Sequence, residues 1–274
     1  MQNSMNNNQS RYALITGATS GIGYELAKLF AKDNYNLVIV ARNEQELQQR
    51  ATEFKTQYGV EVVPIAKDLF QREAPFEVYD EVRSRGIQID VLVNDAGQGQ
   101  YGEFIKTDIN RELDIIQLNI ASYVVLTKCF LKEMVARKEG KILQVASIGS
   151  DIPGPLQAVY HATKAFVLSF TEAVREEVKD KGVIITALQP GVTDTDFFNK
   201  AEMTESKMVQ DKSSMSDPAD VAKDGFDALM AGDDKVISGF KNKAIVAMSH
   251  VTPDTAVAST IHKQAAPVDK SKER

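Results

Sequence analysis

The chain has 274 residues, 32 basic and 38 acidic, giving a net charge of −6, with no basic block beyond a sparse scatter in the tail. That argues against a nucleic-acid surface, which needs concentrated cationic charge. A content of 43% hydrophobic and 26% charged residues suits a globular chain long enough to bury a sizeable core, and no apolar run approaches the roughly 18 residues of a membrane span.

The opening "MQNSMNNNQS" (1–10) lacks a basic segment leading into an apolar one. It reads as a disordered polar lead-in rather than a signal peptide. The first strand, "YALIT" (12–16), runs directly into "GATSGIG" and a helical period, "GYELAKLFAKD". Gly17, Gly21 and Gly23, with Thr19, Ser20 and Ile22 between them, make a loop whose backbone can approach a phosphate. The helix start that follows supplies free N–H groups and partial positive charge. Between a first strand and a first helix, the pattern points to a dinucleotide.

The second strand, "LVIVA" (37–41), ends at Ala41-Arg42. An acid for the adenosine ribose is expected there, about 20 residues after the loop. Instead no carboxylate opposes a 2′-phosphate, and the Arg42 guanidinium can pair with one. NADP(H) is therefore favoured over NAD(H).

After helix "EQELQQRATEFKTQY", strand "VEVVPIA" (60–66) leads to Asp68 and Leu69, and "DVLVN" (90–94) to Asn94, Asp95, Ala96 and Gly97. A long helical stretch carries Asn119. Strand "KILQVAS" (141–147) presents Ser147 and Ser150 as hydroxyl candidates, and Tyr160 and Lys164 open the next helix. Strand "VIITALQ" (183–189) leads to Pro190, Gly191, Val192, Thr193 and Thr195, and "KVIS" (235–238) is the last strand. Strands that are apolar throughout and alternate with helices imply an α/β fold, a doubly wound parallel sheet of about seven strands with helices on both faces. No linker divides the alternation, so 11–263 is expected to be one domain and "QAAPVDKSKER" (264–274) a loose tail. Ligands bind at the carboxyl ends of such strands, where these polar residues collect.

Two Tyr–Lys pairs share the i, i+4 spacing that places side chains on one helix face: Tyr24/Lys28 and Tyr160/Lys164. The first belongs to the helix after the glycine loop, where packing and solvation explain it. The second sits among the residues of the strand ends.

Together, Thr16-Gly17-x-x-x-Gly21-x-Gly23, Asp68, Asn94-Asp95-Ala96-Gly97, Asn119, Ser147, Tyr160-x-x-x-Lys164 and Pro190-Gly191 resemble the single-domain short-chain dehydrogenase/reductases from about residue 11 to 240. Asp95 stands where that family commonly has Asn. In overall style the chain is similar to bacterial oxidoreductases named for a D-alanyl-lipid gene cluster. The resemblance implies a Rossmann-type sheet, nicotinamide chemistry and a homodimer or homotetramer.

It also implies roles. Tyr160 would exchange a proton with a carbonyl or alcohol oxygen, Ser147 would hold that oxygen, and Lys164 would bind the nicotinamide ribose. Asn119 would hold a water linking Lys164 to solvent. A Lys ammonium about 4 Å from the phenol favours its ionised form by roughly 4 kcal/mol at an effective dielectric of about 20, or about three pKa units. That expectation would bring Tyr160 to neutrality before burial opposes it.

The stretch 193–218 carries Phe197, Phe198, Met203, Met208 and Met215, and reads either as a substrate lid or as a cover for the core or an oligomer interface. Cys129 is the single cysteine, which fits a cytoplasmic location, and its apolar helical setting makes it core. His161, His250 and His262 show no metal-ligand spacing, so no metal is expected. The function expected is hydride transfer between nicotinamide and a small carbonyl or alcohol substrate. The alternative is a non-catalytic dinucleotide sensor or scaffold of the same fold.

Overall fold

A computed structural model of the chain describes residues 10–210, 212 and 215–268. The expected lead-in therefore lies almost wholly outside the described residues.

The order is β1 (Tyr12–Thr16), α1 (Gly21–Lys32), β2 (Asn36–Ala41), α2 (Glu44–Tyr58), β3 (Val62–Ala66), α3 (Ala74–Ser84), β4 (Val91–Asn94) and α4 (Ile109–Ile116). A π-turn, Gln117–Ala121, joins α4 to α5 (Ser122–Arg137). Then come β5 (Gly140–Val145), α6 (Ala158–Val178), β6 (Val183–Gln189), α7 (Phe197–Lys200), α8 (Lys207–Gln210), α9 (Pro218–Ala231), β7 (Lys235–Ile237), α10 (Phe240–Ser249) and α11 (Asp254–Ala265). All seven strands pair in parallel in the order β3-β2-β1-β4-β5-β6-β7. The connection reverses direction between β1 and β4, and a crevice opens at their carboxyl ends.

Alternation along each strand builds two cores. Ala13 and Ile15 of β1 pack with Leu26 and Phe30 of α1, Phe54 of α2 and Leu229 of α9. Leu14, one residue out of phase, faces Val78 of α3 and Leu126 and Phe130 of α5. Because both faces are covered, the strands are apolar at nearly every position.

The helical run Ile109–Arg137 is, by length and mean hydropathy (1.3), long and apolar enough to cross a membrane. That corrects the reading that no segment approaches a span. Its apolar residues are partly taken up by the core, where Leu118, Tyr123, Leu126, Phe130 and Met134 are buried, while Ile109, Leu113 and Ile116 are exposed.

The loose tail expected from 264 is also corrected. α11 continues to Ala265, Pro267 bridges to Ser206, and the Val268 N–H donates to the Glu205 carbonyl at 2.9 Å. Residues 269–274 lie outside the described residues.

Candidate active site

The crevice is a cavity of about 820 Å³ at the carboxyl ends of the strands. Its floor begins at the β1–α1 turn. Gly17 (φ +75°) and Gly21 (φ +59°) occupy the left-handed region that glycine tolerates. Ser20 caps α1 without a side-chain bond, leaving the first N–H groups of the helix unused by it. Gly17, Thr19, Ser20, Gly21 and Ile22 all border the cavity. The cradle has no room for added carbon: a Cβ on Gly21 would lie 3.1 Å from Thr195 Cγ2. These residues fit a dinucleotide pyrophosphate, which takes charge-assisted bonds from backbone N–H groups.

Gly23 does not reach the cavity. A Cβ there would stand 2.5 Å from Asp95 Oδ2 and 2.7 Å from the Gly17 carbonyl, so its role is close packing under the loop. Asn94 is a second correction among the expected cofactor contacts. As the last residue of β4 it turns toward α5, and its amide donates to Thr127 Oγ1 at 3.1 Å and Gln144 Oε1 at 2.9 Å. It belongs to a buried polar network and does not line the crevice.

Across the crevice, Arg42, Asp68 and Leu69 line one end and Ala96 and Gly97 the middle. The Arg42 guanidinium lies 4.9 Å from the centre of the Phe70 ring, and Arg111 lies 4.9 Å from the same ring. Asp68 accepts from the Phe70 N–H at 3.2 Å, shaping that turn. The 94–97 turn is tied to the first strand by Thr16 Oγ1, which accepts from the N–H groups of Asp95 (3.0 Å) and Ala96 (3.1 Å). Pro190, Gly191, Val192, Thr193 and Thr195 form the opposite wall.

Ser147, Tyr160 and Lys164 meet at the centre. The Ser147 hydroxyl accepts from the Gly149 N–H at 3.0 Å and donates to the Pro190 carbonyl at 3.5 Å, and it borders the crevice beside Tyr160. Ser150 is committed elsewhere, donating to the Lys164 carbonyl at 2.8 Å. That leaves Ser147 as the hydroxyl available to a ligand. Tyr160 keeps some accessible surface, but it opens onto the cavity, and the ring is enclosed by protein. This enclosure pushes the phenol up to about 12; the neighbouring Ser147 hydroxyl opposes the rise and the Asp95 charge adds to it.

The expectation that Lys164 alone would bring the phenol to neutrality is not met. Lys164 is buried, donates to the Val145 carbonyl at 2.7 Å and lies 5.9 Å from the Tyr160 ring centre. Burial lowers its own pKa, and the Asp95 carboxylate pulls it partly back. Desolvation outweighs the pair attraction because both groups lose hydration. A phenol held neutral is a proton donor, which suits reduction of a carbonyl.

Asn119 stands in the π-turn, a kink that often marks a functional site. Its amide is fully engaged, donating to the Gln98 carbonyl (2.9 Å) and Thr163 (3.0 Å) and accepting from the Gln98 N–H (3.0 Å). It is buried behind the cavity wall and reaches the centre through its neighbours: a Cβ on Gly97 would lie 3.4 Å from both Asn119 Oδ1 and Lys164 Nζ. In this structure it positions the Gly97–Gln98 turn.

The other Tyr–Lys pair is packed surface. The Tyr24 hydroxyl bonds Glu53, Lys28 pairs with Glu25 at 2.7 Å, and Arg50 lies over the Tyr24 ring.

In its described residues, segment 193–218 borders the crevice on the Tyr160 side. Ala201, Met203 and Val209 form a small core of their own with Tyr101, Phe197, Phe198, Met208 and Met215. Phe197, Phe198, Met203 and Met208 also face the cavity. Tyr101 fastens it to the carboxyl-terminal helix by donating to the Ala265 carbonyl at 2.7 Å. Phe70, Gln98 and Gln157 border the crevice as well, and none carries a motif that marks it in the sequence.

The sequence profile described as "short chain dehydrogenase" matches residues 11–206. The chain belongs to the short-chain dehydrogenase family. A very-long-chain 3-oxoacyl-CoA reductase of Anas platyrhynchos is 37% identical over 185 residues, covering 65% of this chain and 58% of that protein. The chain thus spans somewhat over half the length of that curated relative. Among solved structures, a short-chain dehydrogenase of Sphingobium yanoikuyae in complex with NADPH superposes with a TM-score of 0.80 at 25% identity, over 95% of this chain and 99% of that one. The L-sorbose reductase of Gluconobacter frateurii, complexed with NADPH and L-sorbose, gives 0.74 at 27% identity, over 84% and 96%.

Proposed function

We propose that this member of the family is an NADP(H)-dependent oxidoreductase that interconverts a ketone and a secondary alcohol on a substrate with an apolar body. The observation that carries the reading is the meeting of Ser147, Tyr160 and Lys164 beside a glycine cradle in one crevice. Bound nicotinamide supplies or accepts the hydride.

The chain's own groups do the rest. Ser147 holds the substrate oxygen and stabilises charge developing there. Tyr160, kept neutral by enclosure, gives that oxygen a proton in reduction and retrieves it in oxidation. Lys164, adjoining Gly97 and buried, would donate to the ribose hydroxyls of a bound nicotinamide dinucleotide when protonated, and Arg42 would meet its adenosine 2′-phosphate. NADPH in the Sphingobium and Gluconobacter complexes supports the preference for NADP(H). Segment 193–218 acts as a lid whose Phe and Met side chains supply the apolar wall.

The protein acts in the cytoplasm as a homodimer or homotetramer. The single cysteine fits the first. Exposed Ile109 and Leu113 on α4, with Phe166 on the adjoining α6, support the second.

The test is NADPH oxidation against a panel of aliphatic and cyclic ketones, repeated with NADH. Turnover of at least one ketone with NADPH is expected. Tight dinucleotide binding without turnover of any carbonyl would overturn the reading in favour of a binding-only role.

A further inference from the structure

α10 is held to the rest of the molecule from one side. The Asn242 amide donates to the Ser238 carbonyl at 2.7 Å, and a Cβ on Gly191, in the crevice wall, would lie 2.4 Å from Asn242 Nδ2. Val246 is buried, and His250 at the end of the helix lies 3.4 Å from Asp151. Asn242, Ile245, Val246 and Ser249 are the less exposed residues of the helix and make up its inner face.

The outer face is apolar. Phe240 is 86% exposed, Met248 66% and Val251 83%, and Ala244 and Ala247 are exposed between them. At about 100° per residue these five side chains fall within about 100° of one another around the helix axis. Val251 stays in phase because His250 keeps helical backbone (φ −68°, ψ −17°). By the same count Lys241 borders the stripe on one edge and Lys243 on the other. Both are exposed, and neither takes part in an ion pair among the described residues. The helix carries no Asp or Glu.

An exposed apolar stripe with a cation on each edge suits the boundary between lipid headgroups and acyl chains. Apolar side chains enter it while lysine stems reach back to the phosphates. Other occupants fit less well. Residues 1–9, 211, 213, 214 and 269–274, outside the described ones, hold no large apolar side chain besides Met1 and Met5. A second copy stacked face to face would line up the lysines of both helices along one seam, with no carboxylate on α10 to pair them. We infer that α10 docks the protein, peripherally and reversibly, on an anionic lipid surface. Phe240, Met248 and Val251 enter the surface and Lys241 and Lys243 meet its phosphates. The crevice wall at Gly191 then lies directly behind the docked helix.

The experiment is cosedimentation of the full chain with vesicles of phosphatidylglycerol and phosphatidylcholine in equal parts, and with phosphatidylcholine alone. A net charge of −6 repels an anionic vesicle overall, so binding there has to come from a local site. Wild type should sediment with the mixed vesicles, and less with phosphatidylcholine alone. Lys241→Gln with Lys243→Gln should lower partition onto the mixed vesicles about twenty-fivefold, roughly fivefold for each lysine. Phe240→Ser with Met248→Ser should abolish binding to both. Melting temperatures check that the variants fold; where a double variant does not, its two single variants are measured in its place. Wild type that stays in the supernatant, or binding that the variants leave unmoved, overturns the inference. So does a wild-type oligomer, seen by light scattering, that Phe240→Ser with Met248→Ser disperses; the face then belongs to a second copy.

Discussion

The Phe197 ring rests on the Tyr160 ring, their centres 4.9 Å apart and their planes inclined by 52°. A residue of the 193–218 stretch thus touches the proposed proton donor directly and helps keep it out of water. Phe197→Ala removes that cover and part of the apolar wall. Burying an aromatic side chain is worth about 1.5–3 kcal/mol, so KM for an apolar ketone should rise about tenfold or more. NADPH affinity, set mainly at the glycine loop and strand ends, should change little. An unchanged KM would show that Phe197 does not contact substrate.

Tyr160→Phe should lower turnover by more than about a hundredfold, the usual contribution of a positioned general acid, while NADPH still binds as judged by fluorescence titration. Tyr24→Phe should leave turnover nearly intact. Tyr24, too, is held neutral, up to about 12, but by burial and by its bond to Glu53 on the packed face of α1. If the two variants exchanged behaviour, the assignment of the active tyrosine would be wrong.

Much of this was legible in the chain because parallel strands covered on both faces must be apolar throughout. "YALIT" and "VIITALQ" mark β1 and β6 to the residue. The glycine loop, Ser147, Tyr160 and Lys164 were legible because backbone conformation and reactive chemistry restrict which residues serve. Side-chain direction was not. Asn94 ends a strand at the crevice, yet it points to α5 because that face of the sheet is where its alternation leads. The ionisation of Tyr160 was equally hidden, since it depends on enclosure and on where the Lys164 ammonium turns, here to the Val145 carbonyl.

Asp95 packs against Gly17 and Gly23 of the glycine loop at the border of the crevice. Burial raises its pKa and the Lys164 charge opposes the rise, while Asp95 in turn raises the pKa of Lys164. Asp95→Asn keeps the shape and removes the charge. The signs are fixed: without the carboxylate, burial lowers Lys164 further, so its ammonium form is lost at a lower pH than in wild type. If that ammonium holds the ribose, the alkaline limb of kcat/KM for NADPH must move toward lower pH. Profiles from pH 6 to 10 for the two proteins decide it. A limb that stays in place, or moves upward, would remove Asp95 from the control of Lys164.

The proposed preference for NADP(H) rests on Arg42. Its guanidinium is held over the Phe70 ring at the end of β2, in the wall of the crevice. Lys67 and Arg50 also line that end of the crevice, but Lys67 is paired with Glu77 at 2.6 Å and Arg50 with Glu53 at 2.8 Å, and both are less available to a phosphate. A charge-assisted contact from Arg42 to a 2′-phosphate is worth roughly 1.5–3 kcal/mol, or about ten- to a hundredfold in affinity. NAD(H) offers only hydroxyls there, and Ala41 and Arg42 supply no carboxylate to accept from them. Ala41→Asp with Arg42→Leu should therefore reverse the preference, by repelling the phosphate and providing a ribose acceptor. The measurement is the ratio of kcat/KM for NADPH and NADH in wild type and in the double variant. Wild type should favour NADPH by at least about tenfold, and the double variant NADH; a ratio that both changes leave unmoved would place cofactor selection elsewhere in the crevice.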